Sequence, residues 1–481
     1  MKKNLKALLA ILMAAAMILA MAACGSSAEA PAASAASAAE EAPAAEASAP
    51  EEAPADANAK VLNIWCWNDE FQSRFNDYYP EVKEVAADKS TTTLNDGTIV
   101  KWTINPNDDN NYQNKLDEAL LKQESAADND KIDIFLIEAD YALKYVDSDY
   151  TMPIADLGIT DADLADQYQY TKDIVSVDGV QKGTTWQATP GLFAYRRSIA
   201  KDVLGTDDPD EVQKALADWD KFNDVAKQAK DKGYFMLSGY DDAYRTFSNN
   251  VSAPWVDGTT VKVDPNLMTW VEQTKEFTDK GYNNKTSLWD ATWASDQGPD
   301  GKVFGFFYST WGINFTLLGN AKADPDGPDE VGNGAYGDYA VCYGPESYYW
   351  GGTWICAATG TDDPDTVKDV MLKLTCDKDI MKKITEDTQD YTNTISGMNE
   401  IGSSDFKSDF LGGQNHIALF TQAAEKIDMS NAGPYDQGCN EEFQAAFKDY
   451  FDGNASMDDA KAAFETAIKE KYPEITEVVW P

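Results

Sequence analysis

The sequence predicts an α/β protein with largely parallel sheets. From Val61 onward, short apolar segments typical of strands alternate with amphipathic segments typical of helices. This alternation is typical of sheets that are covered by helices. With 481 residues, 43% of them hydrophobic, the chain is long enough to bury the cores of about two or three domains.

Six apolar segments are predicted to be strands. The first is rich in branched and aromatic side chains, and the second is apolar enough to be buried on both faces. In chain order the predicted strands are residues 61–67, 132–137, 191–195, 303–308, 339–343 and 353–358.

Asp-Pro pairs mark three helix starts, at Asp208, Asp264 and Asp363. Asp accepts hydrogen bonds from the first free N–H groups of a helix, and Pro fits the first helical position. We expect these helices to run to about residues 232, 280 and 376. A further helix is predicted over residues 112–122, and helical stripes of apolar residues near the C-terminus predict core-facing helices there.

Residues 1–23 have the pattern of an export signal, with Lys2, Lys3 and Lys6 before an apolar run. The sequence Met21-Ala22-Ala23-Cys24 resembles the lipobox of bacterial lipoproteins, which implies lipidation of Cys24. An ordinary secretory signal and an uncleaved anchor are the alternatives. Residues 24–59, rich in Ala, Pro, Ser and Glu, are predicted to be a lipidated cysteine and a disordered linker. We therefore expect a protein anchored by lipid to the outer face of the cell membrane.

Composition excludes several classes of function. The chain has 82 acidic and 40 basic residues, a net charge of −42, which argues against nucleic acid as a partner. A single histidine, His416, excludes multi-histidine metal sites and most histidine-dependent catalysis, so we expect neither metal nor cofactor. Six cysteines are too few for a disulfide scaffold, and pairing of Cys376 with Cys439 is left open.

Aromatic residues stand beside carboxylates at several predicted strand ends and loops. A flat ring can stack on the C–H face of a sugar, while carboxylates and amides bind its hydroxyl groups. The alternative for Asp69 and Glu70 is capping of the following helix. The predicted ligand-binding residues are Trp67, Asn68, Asp69, Glu70, Glu138, Asp140, Trp186, Tyr240, Asp241, Trp255, Trp289, Trp311, Trp350, Gly351 and Gly352.

Five segments in this order resemble a known family: residues 62–68, 183–197, 301–306, 350–354 and 471–474. The family is that of the extracellular solute-binding proteins of carbohydrate ABC transporters, a lipoprotein group related to maltodextrin-binding proteins. The resemblance implies a two-lobed periplasmic-binding-protein fold, with strands crossing between the lobes and the ligand in the cleft. It would assign residues 60–195 and 345–392 to lobe 1, and residues 196–344 and 393–478 to lobe 2.

The predicted function is capture of an uncharged carbohydrate, an oligosaccharide, and its delivery to the permease subunits of an ABC importer. We expect a monomer that performs no covalent chemistry. One alternative is a binding protein for a polyamine or another cationic solute, which rings and acidic groups would also hold. Another is a secreted glycoside hydrolase, which needs two carboxyl groups roughly 5–5.5 or 6.5–9.5 Å apart.

Overall fold

Seven strands from separate stretches of the chain form the first sheet of the computed structural model, which describes residues 59–481. Their spatial order is β2-β3-β4-β1-β5-β16-β8. Only the pairs of β1 with β4 and β5 are parallel, so the sheet is mixed where the sequence predicts largely parallel pairing. The strands are β1 (Val61–Cys66), β2 (Val82–Val85), β3 (Thr91–Leu94), β4 (Ile99–Ile104), β5 (Ile134–Glu138), β8 (Thr184–Thr185) and β16 (Thr353–Ala357).

The second group of strands lies between β8 and β16 in the sequence. In its main sheet the strand order is β14-β9-β15, with antiparallel pairing throughout. A parallel pair, β10 and β13, lies beside it, connected through a bridge between Phe235 and Val303. The strands are β9 (Gly191–Arg196), β10 (Leu237–Gly239), β13 (Asn283–Thr286), β14 (Gly305–Ser309) and β15 (Tyr339–Cys342).

Two small sheets complete the strand inventory of the described residues. The C-terminal strand β17 pairs in parallel with β12, which ties the end of the chain to the body. The remaining strands are β6 (Ser176–Val177), β7 (Val180–Gln181), β11 (Val256–Asp257), β12 (Thr260–Lys262) and β17 (Glu477–Val479).

The capping residues largely explain where the helices begin. The side chains of Asp208 and Asp264 accept hydrogen bonds from N–H groups of the first turn, whereas that of Asp363 makes no such bond. The predicted single helix up to residue 232 is two helices, because Asp218 accepts from Lys221 N and starts a second one. The longer α-helices are Glu70–Tyr78, Asn111–Leu120, Arg197–Leu204, Pro209–Ala215, Trp219–Asp231, Pro265–Lys280, Pro364–Cys376, Lys378–Thr388, Ile395–Gly402, His416–Ala424, Asp436–Phe451 and Met457–Lys471. The shorter ones are Ala142–Val146, Gln169–Asp173, Tyr244–Ser248, Ala291–Asp296, Thr310–Gly312 and Leu318–Ala321, with a π-helical turn at Ile313–Leu317.

Two segments connect the first sheet to the second group of strands. Residues 186–190 lead from β8 to β9, and residues 343–352 lead from β15 back to β16. The two segments pair with each other at Pro190 and Tyr349. Because β9 pairs with β14 and β15, we propose that the first lobe ends near residue 190, whereas the family resemblance implies an end at residue 195.

The buried side chains form two clusters. One lies on the face of the first sheet that carries Leu62, Ile64 and Cys66, under the helices Glu70–Tyr78 and Pro364–Cys376. The larger cluster covers the opposite face and continues through the second group of strands to the C-terminal helices. Val61–Pro481 therefore form one compact unit.

Several expectations concern other parts of the chain. The predicted signal, Cys24 and all but the last residue of the predicted linker lie outside the described residues. In residues 59–481 all five cysteines are free thiols, including Cys376 and Cys439. Within the same range, no helix has the length and apolar character needed to cross a membrane.

Candidate functional site

Two adjacent parallel strands of the first sheet, β1 and β5, end at the same edge. In α/β sheets, ligands bind beyond the carboxyl ends of the strands. Trp67, directly after β1, is half-buried, and its ring centroid lies 5.6 Å from that of Tyr112 and 6.2 Å from that of Tyr141. The predicted residue Trp67 therefore stands at this edge with part of its surface open.

The next two predicted residues form the turn into the helix Glu70–Tyr78. The Oδ1 atom of Asn68 accepts a hydrogen bond from Glu70 N at 3.1 Å. Asp69 occupies the capping position, yet its side chain caps nothing. Asp69 is half-buried, and its carboxylate makes no capping hydrogen bond to the helix.

Glu70 belongs to a polar network that spans four segments of the chain. The Nε2 atom of Gln187 donates to Glu70 Oε1 and to Asp390 Oδ2, each at 3.0 Å. The Thr310 hydroxyl donates to the other oxygen of Asp390. Burial raises the pKa of Glu70 to about 7, against the opposing effect of Arg74. The network joins the end of β1 to the segment after β14 through the connecting residue Gln187.

The end of β5 and the residues after it include Asp140, which forms an ion pair with Arg245. Arg245 Nη1 lies 2.8 Å from Asp140 Oδ1, and Nη2 lies 2.7 Å from Oδ2, a bidentate arrangement. Burial disfavours ionisation of Asp140, but the Arg245 guanidinium outweighs it and lowers the pKa of Asp140. Glu138 accepts a hydrogen bond from Asp140 N at 2.7 Å, and burial followed by repulsion from Asp140 raises the pKa of Glu138. The Arg245 guanidinium also lies 5.5 Å from the ring centroid of Trp350.

Four tryptophans and a tyrosine cluster beside this ion pair. Trp289 lies 6.2 Å from Trp311 with nearly parallel rings, 6.1 Å from Trp350 and 5.2 Å from Trp293. Trp350 stacks on Tyr308 at 6.0 Å, and Trp311 Nε1 donates to Trp350 O at 3.0 Å. Trp289 is 41% exposed, so the cluster presents a flat ring to solvent.

Gly351 and Gly352 allow the connecting segment to pass close to this cluster. Their φ angles are +76° and +110°, a region that residues with side chains rarely adopt. A Cβ atom on Gly351 would lie 2.7 Å from Trp311 Nε1. The carbonyl of Gly351 accepts from Thr189 Oγ1 at 2.9 Å, and that of Gly352 accepts from Ala139 N at 3.2 Å. The two glycines thus place the cluster against the end of β5.

A cavity of about 40 Å³ lies beside the Asp140–Arg245 pair. Its wall comes from the residues after β5, the helix Tyr244–Ser248, and residues 429–440, together with Tyr349. Sequence reasoning did not select Asp436 or Tyr349, although Tyr435-Asp436 repeats the pairing of aromatic and carboxylate that selected the other loops. No group of three or more metal-ligating side chains occurs among residues 59–481.

Three predicted rings lie in the core. Trp186 is 1% exposed and stacks on Phe71 at 5.3 Å. Tyr240 stacks on Phe451 at 5.8 Å and donates to Asp452 Oδ1 at 2.5 Å. These rings have no face left for a ligand, and we leave them out of the proposed site.

The third of these rings is Trp255, which packs against the C-terminal helices and donates from Nε1 to Asn440 Oδ1 at 3.1 Å. It is left out of the proposed site for the same reason. The neighbour of Tyr240, Asp241, is half-buried and accepts a hydrogen bond from Leu288 N at 3.4 Å. Burial raises the pKa of Asp241 to about 6. Asp241 therefore lies next to the loop that carries Trp289.

Comparison with known proteins gives consistent similarities. A family model described as bacterial extracellular solute-binding protein matches residues 86–411. Among solved structures, an extracellular solute-binding protein of family 1 is 15% identical, with a TM-score of 0.65 over 87% of this chain and 100% of that one. An ABC-transporter-associated binding protein from B. animalis subsp. lactis Bl-04, solved with β-1,6-galactobiose, is 17% identical, with a TM-score of 0.63 over 88% and 100%. The sugar-binding protein MalE of Xanthomonas citri is 13% identical, with a TM-score of 0.62 over 86% and 97%.

No curated protein matches the chain. At these identities the structural likeness establishes the fold alone. It confirms the predicted α/β fold of the periplasmic binding proteins, with several mixed sheets.

Proposed function

Because this chain belongs to the bacterial extracellular solute-binding proteins, we propose that it captures an extracellular carbohydrate, an oligosaccharide, for import by an ABC transporter. The family binds solutes and does not catalyse reactions. The glycoside hydrolase alternative is therefore set aside. One related structure was solved with a sugar, and another is described as a sugar-binding protein. Both support a carbohydrate ligand.

The observation that carries this proposal is the tryptophan cluster of Trp289, Trp311 and Trp350 beside the strand ends. A partly exposed ring offers a platform for the apolar face of a sugar. Asp69 follows β1, and Asp241 accepts a hydrogen bond from Leu288 N beside Trp289; both carboxylates are half-buried and are of the kind that binds hydroxyl groups. Flat rings combined with hydrogen-bond acceptors are the groups that a polyhydroxylated ring requires.

In the proposed mechanism, the two lobes close on the ligand. Asp140 follows a strand of the first sheet, whereas Arg245 lies on the helix Tyr244–Ser248, which follows β10 of the second group of strands, so their ion pair joins the proposed lobes. Ligand contacts that are complete only when the lobes meet favour the closed form. The permease subunits would recognise that closed form.

We further propose that the chain is anchored to the membrane by lipid at Cys24. The support is the lysine-rich start, the apolar run and the position of Cys24 directly after them. Replacement Cys24→Ser should release the protein from the membrane fraction of a bacterial host into the medium. Retention of the variant in the membrane would exclude lipid at this residue as the anchor.

The proposed function is tested by calorimetric titration of the full chain with a panel of oligosaccharides and with spermidine. We expect saturable one-to-one binding of at least one oligosaccharide. Affinity for an uncharged sugar should change little between low and high salt, whereas affinity for a polyamine should fall steeply. Binding of spermidine alone would overturn the carbohydrate proposal in favour of the cationic alternative.

A further inference from the structure

Residues 389–394 form a third connection between the two groups of strands, made through helices. They follow the helix Lys378–Thr388, whose buried residues belong to the apolar cluster on the first sheet. They precede the helix Ile395–Gly402, which packs against the helix His416–Ala424 beside β9 of the second group. A bend between the proposed lobes would therefore pass through residues 389–394 as well as through residues 186–190.

The side chains of these two connecting segments meet in the polar network of Glu70. The segments run antiparallel, with a bridge between Gln187 and Thr392. Gln187 and Asp390 are almost fully buried, with 3% and 4% of their surface exposed. The amide nitrogen of Gln187 donates to both carboxyl groups, Glu70 Oε1 and Asp390 Oδ2, each at 3.0 Å. Two carboxyl groups thus share one uncharged donor at the place where the proposed lobes connect.

The second group of strands covers this network from the other side. Thr310 and Asn314 lie on the helical segment that follows β14. The Thr310 hydroxyl donates to Asp390 Oδ1, and Asn314 Nδ2 donates to Gln389 O at 3.2 Å. Opening of the lobes would withdraw this segment and admit water to Asp390 and Glu70.

The surroundings of Glu70 favour its protonated form. Burial is the largest effect, and the carboxylates of Asp390 and Asp69 add repulsion. Arg74, whose Nη2 atom lies 3.6 Å from Glu70 Oε1, opposes these effects without cancelling them. The pKa of Glu70 is therefore raised from its usual value near 4.5 to about 7. Water that enters between open lobes would return this pKa toward the usual value, so the closed form binds the proton more tightly.

From the shared Gln187 amide, the contact of Thr310 with Asp390 and their position at the connecting segments, we propose that Glu70 is a pH switch of lobe closure and not a ligand contact. Protonated Glu70 leaves the Gln187 amide with one negative neighbour, whereas ionised Glu70 adds a second charge that closure must bury. The inference rests on the proposed function, because closure is measured as ligand affinity, and it adds control of that affinity by pH.

The test is calorimetric titration of the full chain at pH 6 and at pH 8 with the uncharged oligosaccharide of the panel that binds most tightly. An uncharged probe does not itself titrate in this range. Because the pKa of Glu70 is about 7 when closed and near 4.5 when open, affinity should fall about tenfold from pH 6 to pH 8. Affinities equal within twofold would overturn the switch and leave the carbohydrate function in place. A panel without any binder at either pH would overturn the proposed function and the switch with it.

Glu70→Gln separates the switch from a ligand contact. Glutamine keeps an oxygen that accepts from Gln187, but it does not ionise. The variant should bind equally at pH 6 and pH 8 within twofold, and at pH 8 it should bind more tightly than the wild type. Weaker binding than the wild type at both pH values would show that the ligand needs the carboxylate of Glu70. That result, or a variant that keeps the tenfold dependence, would overturn the switch.

Asp436→Asn is the matched control for this variant. Burial also raises the pKa of Asp436 to about 7, but Asp436 lies beside Asp140 and outside the Gln187 network. The control should therefore keep the tenfold fall in affinity between pH 6 and pH 8. Loss of the pH dependence in Asp436→Asn would overturn its assignment to Glu70.

Discussion

Replacement of Trp289 by glycine tests the tryptophan cluster as the ligand platform. An aromatic side chain buries roughly 150–250 Å² in full contact. With 41% of Trp289 exposed, a ligand ring would cover about 60–100 Å² of it. At about 25 cal/mol per Å², this contact contributes about 1.5–2.5 kcal/mol, or roughly 10- to 70-fold in affinity.

The same substitution should cost little stability, because Trp289 has a φ angle of +72°. A bulky residue in this region is strained by about 1–2 kcal/mol, and glycine adopts it freely. Relief of that strain offsets part of the lost packing against Trp293 and Trp311. We expect the thermal midpoint to fall by no more than about 5 °C.

The assay is calorimetric titration of wild type and Trp289→Gly with an oligosaccharide that the wild type binds. Tyr150→Ala is the matched control, since Tyr150 is 38% exposed and lies outside the tryptophan cluster. The control should bind as the wild type does. Affinity of Trp289→Gly within twofold of the wild type would refute the platform.

Three further predictions concern stability and closure. Burial raises the folded-state pKa of Glu70 and of Asp436 to about 7, above their unfolded values, so the stabilising protonation is complete at low pH and is lost as pH rises through 7. The thermal midpoint should therefore decrease as the pH rises from 6.5 to 8, and an increase would contradict this. Below pH 6.5, buried His416, whose pKa is lowered to about 4, changes stability with pH in the opposite direction. Gly351→Ala should lower the free energy of unfolding in denaturant more than Gly360→Ala does. Both glycines have positive φ angles, but only a Cβ atom at position 351 would contact Trp311. Equal decreases in the free energy of unfolding would show that the close approach of residue 351 to Trp311 does not affect stability. Arg245→Met should lower stability by about 1 kcal/mol and ligand affinity at least tenfold, because it leaves half-buried Asp140 unpaired. The control is Lys262→Met, which breaks the exposed ion pair of Lys262 and Asp257. An equal loss of ligand affinity in this control would argue against a role of the Asp140–Arg245 pair in lobe closure.

Strand positions could be predicted from the sequence because local patterns determine them. Predicted strands at 191–195 and 353–358 correspond to Gly191–Arg196 and Thr353–Ala357. Helix starts at Asp-Pro pairs could also be predicted from local sequence. Two such helices begin and end at the residues that the sequence predicts, Pro265–Lys280 and Pro364–Cys376. Strand direction depends on contacts distant in sequence, so the mixed pairing of the first sheet did not follow from the pattern.

The candidate site could be predicted only in part. Trp67, Glu138 and Asp140 were accessible to sequence reasoning because they lie at or just beyond the ends of apolar strands. Which tryptophans face a cleft depends on tertiary packing, and Trp186 and Trp289 look alike in sequence although one is 1% and the other 41% exposed. The partner of Asp140 lies 105 residues away at Arg245, a pairing that no local spacing reveals.

Native mass spectrometry of the full chain, mixed with a panel of oligosaccharides, tests most directly whether this protein holds a sugar and leaves it unaltered. We predict one adduct per chain, with the mass of an intact oligosaccharide. A spectrum without any sugar adduct, or with adducts shortened by hydrolysis, would contradict the account.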